Sequence, residues 1–79
     1  MQYQEKLAQF IRDLRESKKI SLNSFAFKNC IEPSTLSRIE KGLLELKISN
    51  LEKIAGGFNL TPAEFLKMFE EGEGGRGER

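Results

Sequence analysis

The sequence predicts an all-α domain of five helices. Three observations carry that prediction. Apolar residues recur at helical spacing along most of the chain, hydroxyl and proline residues stand where successive helices would begin, and no run alternates apolar with polar residues as a strand would. At 79 residues the chain forms one domain, and a domain this small buries only about 60% of the surface of its unfolded chain. One cysteine and no histidine leave neither an internal disulfide nor an ordinary zinc site to reinforce it, so self-association is the expected reinforcement.

Leu7, Phe10, Ile11 and Leu14 fall at i, i+3, i+4 and i+7, with charged residues on the other faces, and predict an amphipathic first helix. Ser17, Lys18 and Lys19 favour its end. Ser21 is a good N-cap for a shorter second helix carrying Leu22, Phe25 and Ala26 on one side. Pro33 biases Glu32 away from helical geometry and itself suits the first position of a third helix, which Gly42 would stop. Leu51, Ile54, Ala55 and Phe58 mark a fourth helix. It starts at Ile48, or two residues later if Ser49 and Glu52 form a capping box. Gly56 and Gly57 weaken its last turn, which is expected to fray or to pack unusually closely. Thr61-Pro62-Ala63-Glu64 is a strong start signal for a fifth helix containing Phe65, Leu66, Met68 and Phe69.

The net charge of +1 is low for a chain that meets nucleic acid, but it is unevenly spread. Residues 1–69 carry eleven basic against eight acidic groups, whereas residues 70–79 carry two against four. That last stretch, EEGEGGRGER, has four glycines and no apolar residue, so the fold is assigned to residues 1–70 and residues 71–79 are expected to form a disordered tail. A lone Cys30 and the absence of any apolar run resembling a signal peptide or membrane span predict a cytoplasmic protein with no membrane partner.

A helical wheel of the third helix separates two faces. Leu36, Ile39 and Leu43 lie within about 60° of one another, while Ser34, Ser37, Arg38 and Lys41 lie on the opposite side. An arginine among short hydroxyl side chains suits the major groove of DNA, where it forks onto guanine O6 and N7 while serines approach bases or phosphates. Glu40 points instead toward the core side, and a carboxylate there needs a partner. Arg15, next to the apolar stripe of the first helix, is the expected one, in a structural rather than a catalytic pair.

These residues resemble the lambda-repressor-like, Xre-type helix-turn-helix family over roughly residues 4–69. The resemblance rests on Ile11-Arg12-Asp13-Leu14-Arg15, Phe25-Ala26, Ile31, Leu36-Ser37-Arg38-Ile39-Glu40-Lys41-Gly42, Leu51-Glu52-Lys53-Ile54-Ala55 and Leu60-Thr61-Pro62-Ala63-Glu64-Phe65, with SRIEKG its most specific part. It implies a compact five-helix lambda-repressor-like DNA-binding domain whose helix-turn-helix unit spans about 21–41, whose third helix enters the major groove, and whose Arg15–Glu40 type of pair is structural. The chain also departs from the pattern. Leu22 stands where the family usually has a DNA-contacting glutamine, which leaves phosphate contact to Ser21, Asn23 or the free N–H groups of the second helix's first turn. Cys30 occupies a turn position often filled by glycine; Asn29 is expected to take the positive φ in its stead, with Cys30 a small, half-buried residue rather than a redox sensor. Leu43, Leu44 and Glu45 replace basic or polar loop residues. The two leucines either tuck beneath the third and fourth helices or meet a partner, and Phe27 is expected to cover the edge of the core unless it lies exposed near DNA sugar.

The reading that follows is a sequence-specific transcriptional regulator, a homodimeric repressor or controller that binds double-stranded DNA at a palindromic operator. The DNA-binding set is Ser21, Asn23, Ser34, Thr35, Ser37, Arg38, Lys41 and Lys47. Lys18 and Lys19 are further candidates for phosphate, and any of these lysines could equally be a solvated surface residue. Phe65, Leu66, Met68 and Phe69 would serve both the protomer's core and a twin. The alternative is an interaction module of the same fold, antitoxin-like or an anti-repressor, favoured by Leu22, Leu43, Leu44 and the low net charge. No cofactor, metal or small-molecule effector is indicated. With no histidine and no grouped carboxylates, the sequence offers no catalytic constellation.

Overall fold

A computed structural model describes residues 3–78, with side chains from Tyr3 to Gly72. Its elements are α1 (Tyr3–Ser17), α2 (Leu22–Lys28), α3 (Pro33–Glu40), α4 (Ile48–Gly57) and α5 (Pro62–Glu78), with no strand among the described residues. The start signals at three helices act as read. Ser21 Oγ accepts from the Ser24 N–H at 3.1 Å, and Pro33 opens α3. Thr61 and Glu64 form a reciprocal capping box, Glu64 N–H to Thr61 Oγ1 at 3.0 Å and Thr61 N–H to Glu64 Oε1 at 2.9 Å. At α4 the Ser49–Glu52 box does not form. The helix begins at Ile48 with Lys47 as N-cap and no side-chain cap, because Ile48 onward is already wound into the first turn.

The first four helices end alike. After α1, α2, α3 and α4 one residue turns to positive φ (Lys19 59°, Cys30 60°, Gly42 74°, Asn59 62°), and the next donates its N–H back across the last turn. These bonds run from Ile20 to Arg15 O, Ile31 to Ala26 O, Leu43 to Arg38 O and Leu60 to Ala55 O, at 2.9–3.3 Å, the hydrogen-bond pattern of a Schellman end. Only Gly42 adopts this conformation without a Cβ penalty, which is about 1–2 kcal/mol for other residues. Cys30 therefore takes the left-handed position that the sequence assigns to Asn29, which has φ −112°. Asn29 is occupied differently, its Nδ2 donating to Phe25 O at 2.8 Å. Cys30 is also exposed rather than half-buried, because the reversal turns its side chain outward.

The residue after each reversal is apolar, and three of the four turn inward: Ile31 is buried, and Ile20 and Leu60 pack on the core. Leu43 is the exception at 73% exposure, while its neighbour Leu44 packs on the core. The two loop leucines thus divide, one tucked and one in solvent. The core itself draws on every helix, with Ile11, Phe25, Leu36, Ile54 and Phe65 almost completely buried. Aromatic rings run through it in a connected series, Tyr3 to Phe69, Phe10, Phe65, Phe58 and Phe25, with centroids 4.8–6.2 Å apart. Phe27 does not join them. It is 71% exposed on the outer face of α2, a correction to its expected place at the core edge, because Phe25 and Ala26 already fill the inner face of that short helix.

Phe65 and Phe69 are buried within the protomer, so of the four residues expected to serve a twin only half-buried Leu66 and exposed Met68 present surface. α5 runs through Glu78, past the boundary that the sequence sets at residue 70; of the expected tail, residues 71–79, the side chains of 73–79 lie outside the described residues.

Gly56 and Gly57 separate the two outcomes foreseen for the end of α4. A Cβ at Gly57 would stand 2.6 Å from Asn29 Nδ2 and from Phe25 Cζ, whereas one at Gly56 would meet nothing within 4 Å. Gly57 is thus a close-packing position and Gly56 is not. Gly56→Ala is expected to raise stability by about 0.5–1 kcal/mol and Gly57→Ala to lower it by about 1–3 kcal/mol, read from urea unfolding midpoints. Equal effects of the two substitutions would contradict this packing.

Candidate nucleic-acid interface

The inner face of α3 is held by Leu36 and Ile39, both buried, and by a charged residue. Glu40 and Arg15 are each 7% exposed. They form a two-pronged pair, Arg15 Nε to Glu40 Oε2 at 2.8 Å and Arg15 Nη2 to Glu40 Oε1 at 2.9 Å. The remaining edge of the guanidinium donates from Nη1 to Ile20 O at 2.7 Å. One side chain therefore links the last turn of α1, the last residue of α3 and the turn that leads into α2. Hydrogen bonding to Glu40 holds the Arg15 guanidinium above its ordinary pKa, against the opposing effect of burial, so the pair carries full positive charge on its basic partner at any working pH.

The outer face of α3 is open. Ser34 and Arg38 are exposed, Thr35 and Ser37 are half-buried, and Lys41 is exposed as the C-cap. Arg38 makes no side-chain hydrogen bond or ion pair among the described residues, which leaves its five donors available. Ser21 and Asn23 are exposed at the start of α2, and Ser21 Oγ, which accepts the cap hydrogen bond, keeps its proton free to donate. Lys18 and Lys19 are exposed after α1, and Lys47 is exposed at the start of α4, on the far side of the α3–α4 loop. The loop is pinned to α1 by Gln4 Nε2, which donates to Gly42 O at 3.0 Å.

Leu22 lies in an open groove of about 220 Å³ shared by α1, α2 and α3, lined also by Ser37, Lys41 and the Arg15–Glu40 pair. Arg12 lines the same groove, exposed and paired with Glu16 at 3.2 Å. Helical periodicity does not single out Arg12, which lies on the polar side of amphipathic α1. No helix among the described residues is long and apolar enough to cross a membrane.

A family model described as "Helix-turn-helix" matches residues 11–65, a span that takes in α2 and α3 together with the Arg15–Glu40 pair. The chain belongs to this helix-turn-helix family. It is a DNA-binding transcriptional regulator of the Xre, lambda-repressor-like kind, with the five-helix fold that its sequence predicts. Among solved structures it is similar to the restriction-modification controller protein C.AhdI from Aeromonas hydrophila, with 28% identity and a TM-score of 0.72 over 77% of this chain and 92% of that one. No curated protein matches it. Within this helix-turn-helix protein, α2 and α3 both lie inside the matched span, and the Cys30 reversal joins them.

Removing either partner of the buried pair leaves an uncompensated charge. Arg15→Ala and Glu40→Ala are each expected to cost about 3–5 kcal/mol, and the double variant much less than their sum. Thermal or urea unfolding of the three variants measures this. Strict additivity would show that the two side chains do not act as a unit.

Proposed function

We propose that this regulator binds DNA sequence-specifically as a homodimer, laying α3 in the major groove of a palindromic operator and acting by occlusion as a repressor or controller. The observation that carries the reading is the open face of α3, where Ser34, Arg38 and Lys41 stand exposed on a helix whose other face is locked into the core. Arg38 is assigned the base contact, bidentate to guanine, with Ser34, Thr35 and Ser37 beside it and Ser21, Asn23, Lys41 and Lys47 on the backbone. Likeness to a restriction-modification controller favours a role of that kind.

Two copies would present their recognition helices to major-groove faces about 34 Å apart. Met68 and the exposed edge of Leu66 are the remaining apolar surface of α5 for such pairing, and a domain of this size gains most from a twin. The reading is of a cytoplasmic binding protein rather than an enzyme. An interaction module without DNA affinity draws support from three exposed apolar side chains, Phe27, Leu43 and Ile48, on or beside the motif.

Selection of bound fragments from random duplexes, followed by titration at two salt concentrations, tests the proposal. The unmodified protein is expected to enrich an inverted repeat and to lose affinity steeply as salt rises. Arg38→Ala should cost about 1–3 kcal/mol on the selected site and flatten the preference at one base pair of each half-site. Equal affinity for all duplexes, or a sedimentation mass of one chain on the operator, would overturn the specific or the dimeric part respectively.

A further inference from the structure

Glu32 is the residue at the reading end of α3 that the interface above does not use. It is the N-cap of the helix, exposed, with extended backbone (φ −70°, ψ 137°), and its carbonyl accepts the Leu36 N–H at 3.0 Å. Its side chain makes no cap hydrogen bond and no ion pair among the described residues. Glutamate is not among the preferred capping residues, so the carboxylate does little for the helix beyond a weak interaction with its dipole. It stands two residues before Ser34 and at the opposite end of the helix from Lys41, at the end of α3 whose side chains approach base edges in this mode of binding.

An unpaired carboxylate facing a polyanion opposes binding to every sequence unless it meets a hydrogen-bond donor. The phosphates and sugars of duplex DNA present only acceptors. Donors in the major groove are confined to the exocyclic amines, and the cytosine N4 amine is the one suited to a carboxylate. The same side chain thus rewards one base and opposes the rest, in the manner by which a mismatched charge excludes wrong partners.

We propose that Glu32 is a specificity-determining residue of this regulator, its carboxylate accepting a hydrogen bond from the N4 amine of a cytosine in each half-site and opposing sites that offer no donor there. The proposal rests on the DNA-reading function of α3 and adds one residue and one base to it.

The test is duplex selection with the unmodified protein, Glu32→Ala and Glu32→Gln, each first shown by thermal unfolding to fold as the parent does. The parent should select cytosine at one position per half-site. Glu32→Ala should lose that preference by on the order of tenfold while binding unrelated duplexes more tightly, and Glu32→Gln should shift it toward adenine, whose edge matches an amide. Replacing the selected cytosine with N4-methylcytosine, which blocks the groove-facing hydrogen, should weaken the parent and leave Glu32→Ala unaffected. An unchanged base preference in Glu32→Ala, or equal sensitivity of parent and variant to N4-methylation, would overturn the assignment while leaving α3 as the reading helix. A parent protein with no base preference at any position would overturn both.

Discussion

The buried pair of Arg15 and Glu40 is the constraint on which the geometry of this regulator depends. A guanidinium with three of its donors bound, two by Glu40 and one by the Ile20 carbonyl, fixes α1, the α1–α2 turn and the C-terminal end of α3 relative to one another. Apolar burial alone would hold α3 against the core but would tolerate sliding or rotation, since dispersion and the hydrophobic effect have little directional preference. A forked pair with fixed donor directions does not tolerate it. On the proposed reading, in which α3 presents side chains to base edges, rotation by one residue would replace Ser34 and Arg38 with the wrong face. The desolvation of two charges is thus compatible with a modest net contribution to stability and a larger one to orientation.

The helix ends serve the same purpose. Four successive reversals share one hydrogen-bond pattern and close the ends of the first four helices, and three of them place a residue with a Cβ in a left-handed conformation. The strain is offset by the apolar residue that follows, Ile20, Ile31 or Leu60, which each reversal delivers to the core. After α3 the order is inverted. Gly42 adopts its φ without strain, and Leu43, whose N–H closes the turn on Arg38 O, leaves its side chain in solvent beside α3. Gly57 completes the packing by bringing α4 close to the Phe25 ring, where no larger residue fits without a shift.

Most of the fold was legible because its signals are local. Ser21, Pro33 and the Thr61–Glu64 box fix helix starts through bonds within one turn, and the apolar periodicities name the faces. Glu40 was legible for a different reason: a carboxylate on an apolar face demands a partner, and few cations were in reach. What escaped depends on contacts between distant residues. Asn29 would have been the better left-handed residue by intrinsic preference, but the chain length of α2 puts the reversal at Cys30 and leaves the Asn29 amide to bind Phe25 O. Phe27 and Leu43 are apolar yet exposed because the positions facing the core were already filled, which no hydropathy pattern reveals. On the proposed reading surface the periodic stripe of α3 was visible in the sequence, whereas Glu32, outside the helical period, was not.

Amide chemical shifts of the isotope-labelled protein, followed during titration with its selected duplex, address the central claim most directly. The account predicts that the largest changes fall between Ser34 and Lys41 and at the start of α2, with α4 and α5 little altered beyond their contacts with a twin. Changes concentrated on α4 or α5 while α3 stays unperturbed would contradict it.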